Sequence, residues 1–309
     1  MNAILDDQDV DRTLSMADAV AVMKQAFLAR AAQEMISPPR AAVRFGDKGS
    51  LVFTTGGTGG AGGVAGTRIN HFFGSSNASQ VTIAWSVEDG ALLGAVRGQR
   101  LGDMRTGAIG GVAVDMMAPP DADIVAVIGA GRQARTQLEA AAAVRSLRAV
   151  RVYSRDPESR ARFAAEMSAR LSLPVDAASD AREALADTPI VLCATTSRTP
   201  VIEAAWLAPG AHINTVGPKG QGQHEIAIDI ARRASLIATD SPDQTAAYPN
   251  GFFLHSLEGV APLRDLATLV ADPAVADRGT GFSLFCSTGL AGTEVLLAAE
   301  LFRRFQPAF

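Results

Sequence analysis

The segment IVAVIGAGRQARTQLEAAAAVR, residues 124–145, constrains this chain more than any other. IVAVIG (124–129) reads as a short buried strand and RQARTQLEAAAAVR (132–145) as a helix. Between them, Gly129-Ala130-Gly131-Arg132-Gln133-Ala134 has the form of a dinucleotide fingerprint. Gly129 permits the tight turn, Gly131 lets the backbone approach a pyrophosphate, and Ala134 takes the third small position. The helix start would face the phosphates with free N–H groups and a partial positive charge.

A glycine turn of this kind gains its meaning from what surrounds it. Strands are expected at 149–154, 190–196, 211–217 and 235–240, with a helix at 157–171. Strand–helix alternation predicts a parallel, doubly wound sheet. The second strand ends Tyr153-Ser154-Arg155-Asp156. Ser154 and Arg155 offer a hydroxyl and a cation to a 2′-phosphate, while Asp156 falls late for binding a ribose 2′-hydroxyl. NADP is therefore the expected cofactor, with NAD the alternative.

The first third reads differently. Residues 15–33 carry apolar positions at helical spacing, with Ser15 or Asp18 as cap. Strands are expected at 50–55, 64–73 and 80–87, and Glu88-Asp89-Gly90 turns a hairpin into ALLGAV. GGTGGAGGVAG (56–66) holds seven glycines in eleven residues. No Gly-Lys-Ser/Thr follows it, so a mobile loop is expected there and not a Walker loop. Ala118-Pro119-Pro120-Asp121 reads as a linker, and residues 287–305 as an amphipathic helix. The expected fold is thus α/β. It comprises a Rossmann doubly wound parallel sheet over 119–286 and, over 1–118, an α+β unit rich in antiparallel strands.

At 309 residues the chain exceeds one small core, and 48% hydrophobic composition suits a globular protein. The net charge of −4 with no basic block excludes the broad footprint of a nucleic-acid binder. An anionic small substrate remains open to a few local arginines. No run of about 18 apolar residues predicts a membrane span, and the polar, acidic start lacks a signal-peptide pattern. A cytoplasmic protein is expected, with Cys193 and Cys286 as buried, reduced thiols. Neither the cysteines nor the four histidines show metal-ligand spacing, so no metal is expected. His71 and His224 lie in candidate loops, and His212 is read as a packing residue. No Gly-x-Ser-x-Gly elbow suggests a hydrolase.

Several blocks together resemble the ornithine cyclodeaminase and mu-crystallin family. Arg105-Thr106-Gly107-Ala108 followed by VDMMAPPDADIVAVIGAGRQARTQLEA is similar to its RTAA…GxGxQAxxQ segment. Pro39-Arg40 resembles its early substrate-binding arginine, and VEDGALL its hairpin. WLAPGAHINTVG (206–217) is similar to WL-x-PG-x-H-x-N-x-x-G, and Phe285-Cys286-Ser287-Thr288-Gly289-Leu290-Ala291 to FKSxGxA. The resemblance runs from about residue 15 to 305. It implies that residues 1–118, completed by 287–309, form a substrate and dimerisation domain. It also implies that the chain is a homodimer passing hydride between a nicotinamide and the α-carbon of a small amino or imino acid.

Residue by residue, the resemblance implies substrate binding at Arg40, Arg68 and Arg105. It implies cofactor contacts at Arg105, Thr106, Gly129, Gly131, Arg132, Gln133, Ser154, Arg155, Thr195, Val216, Gly217 and Gly289. Two positions depart from the family. Its active-site lysine falls on Arg68, and its cyclodeaminase aspartate on Lys219. Arg68 and Lys219 are thus the candidate catalytic residues. An extra arginine would suit a second substrate carboxylate, and a buried lysine near cations could donate a proton. Cyclodeamination needs a carboxylate to manage ammonia and protons, and a lysine reverses that charge. The expected activity is reduction of an α-imino acid, or the reverse amino-acid dehydrogenation. The alternatives are ammonia-releasing cyclisation and non-catalytic NADPH binding of the crystallin kind.

Overall fold

The computed structural model describes residues 3–74, 80–276 and 279–305. The chain divides into two compact units, Met1–Arg105 with Gly289–Phe309, and Thr106–Thr288.

The first unit contains strands β1 (Ala3–Leu5), β2 (Met35–Ile36), β3 (Ala41–Arg44), β4 (Ser50–Thr58), β5 (Val64–His71), β6 (Gln80–Ser86) and β7 (Leu92–Arg97). Its helices are α1 (Asp7–Thr13), α2 (Met16–Ala31) and the start of α3 (Arg100–Met117). The strands form one sheet in the order β1-β7-β6-β5-β4-β2, and β3 pairs with β4. Its ladders are antiparallel apart from β1 on β7. Ser15 and Asp18 together close a capping box on α2. Ser15 Oγ accepts from the Asp18 N–H at 3.1 Å, and Asp18 Oδ2 accepts from the Ser15 N–H at 2.9 Å.

The glycine-rich stretch is mostly sheet, not loop. β4 runs through Gly56 and Gly57, and Gly66 lies inside β5, so only residues 59–63 connect them. Close packing explains the composition. A side chain at Gly56 would press on the backbone of Gly292, and one at Gly66 would meet Val295 Cγ1 at 2.9 Å. Glycine in a strand marks such a close approach.

The second unit holds β8 (Ile124–Ile128), β9 (Ala149–Tyr153), β10 (Val175–Ala177), β11 (Ile190–Cys193), β12 (His212–Thr215), β13 (Lys219–Gly220), β14 (Gln223–His224), β15 (Ala234–Thr239), β16 (Leu263–Asp265) and β17 (Phe282–Cys286). Its helices are α4 (Arg132–Val144), α5 (Pro157–Leu171), α6 (Ala181–Leu185), α7 (Ile228–Arg233), α8 (Pro242–Ala246) and α9 (Leu266–Ala271), together with the rest of α3. Eight strands form a parallel sheet in the order β10-β9-β8-β11-β12-β17-β15-β16. Val125, Val127, Val150 and Leu192 pack on one face, and Ala126, Ile128, Val191 and Ile213 on the other. Burial on both faces makes these strands continuous apolar runs. Strand order reverses between β8 and β11, the switch point where such sheets bind ligands.

Some boundaries differ from the sequence expectation. The units divide at residue 105, inside α3, rather than at Pro119-Pro120. The prolines end the helix, but residues 106–117 already bond within the second unit: Gln137 Nε2 donates to Thr106 O at 3.0 Å and Asn214 Nδ2 to Gly110 O at 3.0 Å. β11 and β12 end at Cys193 and Thr215: Ala194 N and Val216 N still donate to Ile128 O and Cys193 O, but Thr195 N and Gly217 N turn to the Glu225 side chain. The last helix, α10 (Thr293–Phe305), begins six residues later than the span 287–305 suggests. Gly289 (φ +90°) and Gly292 (φ +84°) hold left-handed backbone that a helix does not accept. α10 buries Val295, Leu297, Ala298, Leu301 and Phe302 against β4, β5, β6 and α2. The expected C-terminal segment extends to 309, and residues 306–309 lie outside the described ones. Among the described residues, no helix is long and apolar enough to cross a membrane.

Candidate active site

Within the first unit, the three candidate substrate arginines converge. Arg68 sits mid-strand on β5, between Thr54 of β4 and Thr82 of β6. It is buried, and its Nη2 donates to Thr54 Oγ1 at 3.3 Å. Its Nη1 lies 2.7 Å from Glu294 Oε1 on α10. Arg105 Nη2 donates to that same oxygen from α3. Arg40 is solvent-exposed beside them, and a side chain on Gly289 would collide with its Nη2.

Glu294 is the residue the sequence reading missed. It is 1% exposed. Burial pushes its carboxyl upward, but Arg105 and Arg68 outweigh this and hold it at about 2, with Arg40 adding to the effect. Burial also lowers the Arg68 guanidinium, against the attraction of Glu294. One signal was legible: a glutamate on the apolar face of an amphipathic helix, three residues before Leu297 and seven before Leu301. Arg68 and Arg105 share this one carboxylate among the described residues, so the pair keeps one positive charge in excess. Glu294 Oε2, Arg68 Nε and Arg105 Nε are buried with no hydrogen-bond partner among the described residues. Guanidinium forks in this state bind carboxylates with fixed geometry.

Within the second unit, the other candidates line the carboxyl ends of the strands. Gly129 has φ +112°, and a side chain there would strike Ala194 O. Gly131 is the N-cap of α4, makes no side-chain cap, and has open space where a Cβ would lie. The turn therefore presents uncapped N–H groups to an approaching pyrophosphate, which fits a dinucleotide. Arg132 is exposed at this turn and Gln133 half-buried. Arg135 braces the turn from behind, donating to Ala130 O at 2.8 Å and Gly131 O at 3.1 Å while Glu166 holds its guanidinium.

At the end of β9, Arg155 is exposed and Ser154 Oγ donates to Asp156 O at 3.2 Å. The Asp156 carboxylate is occupied as the N-cap of α5, accepting from the Ser159 N–H at 3.1 Å and from the Ser159 hydroxyl. The Ser159 hydroxyl also keeps this carboxyl below its usual range.

Thr195, Val216 and Gly217 all bond one further residue that sequence reading missed, the fully buried Glu225. Its Oε2 accepts from Thr195 N at 2.8 Å and Thr195 Oγ1 at 2.7 Å. Its Oε1 accepts from Thr215 Oγ1 at 2.7 Å, Val216 N at 3.1 Å and Gly217 N at 2.6 Å. Lys219 is 2% exposed, and its Nζ donates to Gly217 O at 2.6 Å. Burial pushes this ammonium down, against Glu225, Cys286 and Asp240, which favour its charge. Thr106 lies in α3, where its carbonyl accepts from Gln137.

The remaining candidates are packing residues. His212 is fully buried, with Ser283 Oγ at 2.9 Å and Asn214 Oδ1 at 2.7 Å. His71 stacks on Phe73 and His224 on Phe253. Both cysteines are buried free thiols. Burial pushes the Cys286 thiol up to about 12 and that of Cys193 well above its ordinary value, which makes neither a nucleophile. Among the described residues, no group of three His, Cys, Asp or Glu is placed to hold a metal ion.

Comparison with known proteins agrees with this geometry. A putative dehydrogenase of Rhizobium meliloti is 39% identical over 145 residues, 47% of this chain and 44% of that one, so the match spans less than half of that relative. The structure of Thermococcus litoralis Δ1-pyrroline-2-carboxylate reductase, in complex with NADH and L-proline, superposes with a TM-score of 0.84 at 26% identity. The match covers 97% of this chain and 96% of that one. An archaeal alanine dehydrogenase dimer with bound NAD gives 0.85 at 26% identity, over 98% and 95%. The model of the ornithine cyclodeaminase/mu-crystallin family matches residues 1–303, and the chain belongs to that family.

Proposed function

We propose that this chain is an NAD(P)-dependent oxidoreductase acting on C=N and CH–NH bonds, which reduces a small α-imino acid and oxidises the corresponding amino acid in reverse. The observation that carries the reading is the arginine cluster around Glu294, a carboxylate receptor on a chain that also carries an uncapped dinucleotide turn. Relatives that reduce a cyclic imino acid or oxidise alanine agree with it.

In this reading Arg40 and Arg105 bind the substrate carboxylate and Arg68 lies beside them. Glu294 holds Arg68 and Arg105 at one oxygen, so the receptor is arranged before the substrate arrives. Fixing the carboxylate fixes the α-carbon, and orientation is the protein's main contribution to hydride transfer. When bound, the nicotinamide supplies or accepts the hydride. Ammonia-releasing cyclisation is disfavoured because position 219 carries a buried lysine whose Nζ is engaged by Gly217 O, not a carboxylate.

The cofactor is NADP. Asp156 is engaged as a helix cap and unavailable to a ribose 2′-hydroxyl, whereas Ser154 and Arg155 stand at the end of β9. The protein acts in the cytoplasm as a homodimer. Ile4, Ile36, Val43, Phe45 and Phe72 expose apolar surface on the first unit that a second copy would cover. The test is NADPH consumption with a panel of cyclic and open-chain α-imino acids, set against ammonia release from ornithine with NAD. Turnover in the first assay only is expected. Efficient ornithine cyclisation with no imino-acid reduction would replace this reading with the cyclodeaminase one.

A further inference from the structure

Three of the residues implied as cofactor contacts, Thr195, Val216 and Gly217, follow two different strands. Thr195 comes after β11, and Val216 and Gly217 come after β12. Loops at sheet ends are usually the mobile parts of a fold. Here both converge on the Glu225 carboxylate, which accepts five hydrogen bonds, three of them from backbone N–H groups. Glu225 reaches them from just after the short hairpin β13–β14, beyond the loops it ties.

Gly217 is held at both ends of its peptide. Its N–H goes to Glu225 Oε1 at 2.6 Å, and its carbonyl takes Lys219 Nζ at 2.6 Å. A side chain there would press on Thr195 O and, at 2.5 Å, on the Glu225 carboxylate. The neighbouring loop after β17 is tied in a parallel way. Asp240, also fully buried, accepts from Thr288 N at 2.7 Å and Thr288 Oγ1 at 2.9 Å. Lys219 lies within electrostatic reach of both carboxylates. Two buried carboxylates, Glu225 and Asp240, thus fasten three loops at one end of the sheet.

We propose that Glu225 is a positioning residue for the nicotinamide cofactor, locking the loops after β11 and β12 into one binding surface, with Lys219 as the brace on Gly217. The inference rests on the proposed function, since it needs a nicotinamide dinucleotide as ligand. Glu225 touches no cofactor atom in this account. It acts through Thr195, Val216 and Gly217, so its removal weakens cofactor binding without touching the substrate arginines.

The experiment is titration of the purified full chain with NADPH, followed by cofactor fluorescence, in native protein, Glu225→Gln and Thr215→Val. Glutamine has one acceptor oxygen, so its NH2 faces at least two of the donors. Affinity for NADPH should fall about tenfold or more, the effect of losing charged hydrogen bonds. Thr215→Val removes one of the five bonds and no cofactor contact, and should cost about threefold. Steady-state kinetics should place the loss in the KM for NADPH, with the KM for the imino acid unchanged. The NADPH-to-NADH preference should also stay, because Ser154 and Arg155 are untouched. A folded Glu225→Gln, or a folded Thr215→Val should the first not fold, with lower thermal stability but native NADPH affinity would overturn the inference and leave Glu225 merely structural. If the native chain binds neither NADPH nor NADH, the proposed function falls and the inference with it. If the native chain binds and the variants bind equally well, only the inference falls.

Discussion

Replacing Glu294 by Gln keeps the shape of the side chain and removes the carboxylate that, among the described residues, bonds both Arg68 and Arg105. Glu294 is buried, and its carboxyl is held at about 2 against an ordinary value of 4.5. At about 1.4 kcal/mol per pH unit, that difference corresponds to roughly 3 kcal/mol of stability. Orphaning the partners of a buried ion pair costs about 3–5 kcal/mol, which agrees. Because the folded value lies below the unfolded one, this stability is fully present above about 4.5 and is lost as pH falls toward 2. Thermal melts of native protein and Glu294→Gln from pH 7 down to 3 provide the assay. At pH 7 the variant should melt roughly 5 °C lower. The gap should narrow steadily below pH 4.5, as the unfolded chain's Glu294 takes up a proton that the folded carboxylate still refuses. A gap under about 2 °C at pH 7, or one that does not change with pH, would refute the claim that Glu294 is the buried counter-ion of the cluster.

Other outcomes follow from the same structure. Arg155→Ala should lose about 1–3 kcal/mol of NADPH affinity while NADH binding stays, as paired titrations would show. Gly129→Ala should abolish dinucleotide binding and destabilise the fold by about 1–3 kcal/mol, read by titration and urea unfolding, because its φ is +112° and Ala194 O fills the space. Arg105→Ala should lower kcat/KM for the imino acid about 100-fold or more with NADPH binding less affected, measured by steady-state kinetics. Light scattering should give twice the 32.1 kDa of one chain, and a monomer mass would count against the homodimer.

The dinucleotide unit was legible because its signals are local. The strand, the glycine turn and the helix of 124–145 are contiguous, and Pro157–Leu171 matches the expected helix end to end. The glycine stretch misled because composition does not distinguish a loop from strands that packing forces to be bare. Gly56 is crowded by Ile36 O and the Gly292 backbone, and Gly66 by Ile83 O and Val295, the second of each pair more than 200 residues away in the chain. The arginines carried their own signal through the family blocks. Their counter-ion Glu294 carried only its place on the apolar face of a helix, a weak signal because a glutamate in a helix normally means solvent. Glu225 carried no signal: nothing in QHEIAIDI says that five donors from the ends of β11 and β12 meet there.

In the proposed function, hydride passes between a nicotinamide and the α-carbon of an imino acid. The most direct measurement uses NADPH carrying deuterium at the transferring position, with mass and NMR analysis of the amino acid formed. The account predicts one deuterium, bound to the α-carbon, and none when unlabelled cofactor is used. An amino acid formed without label, or label at any other carbon, would contradict it.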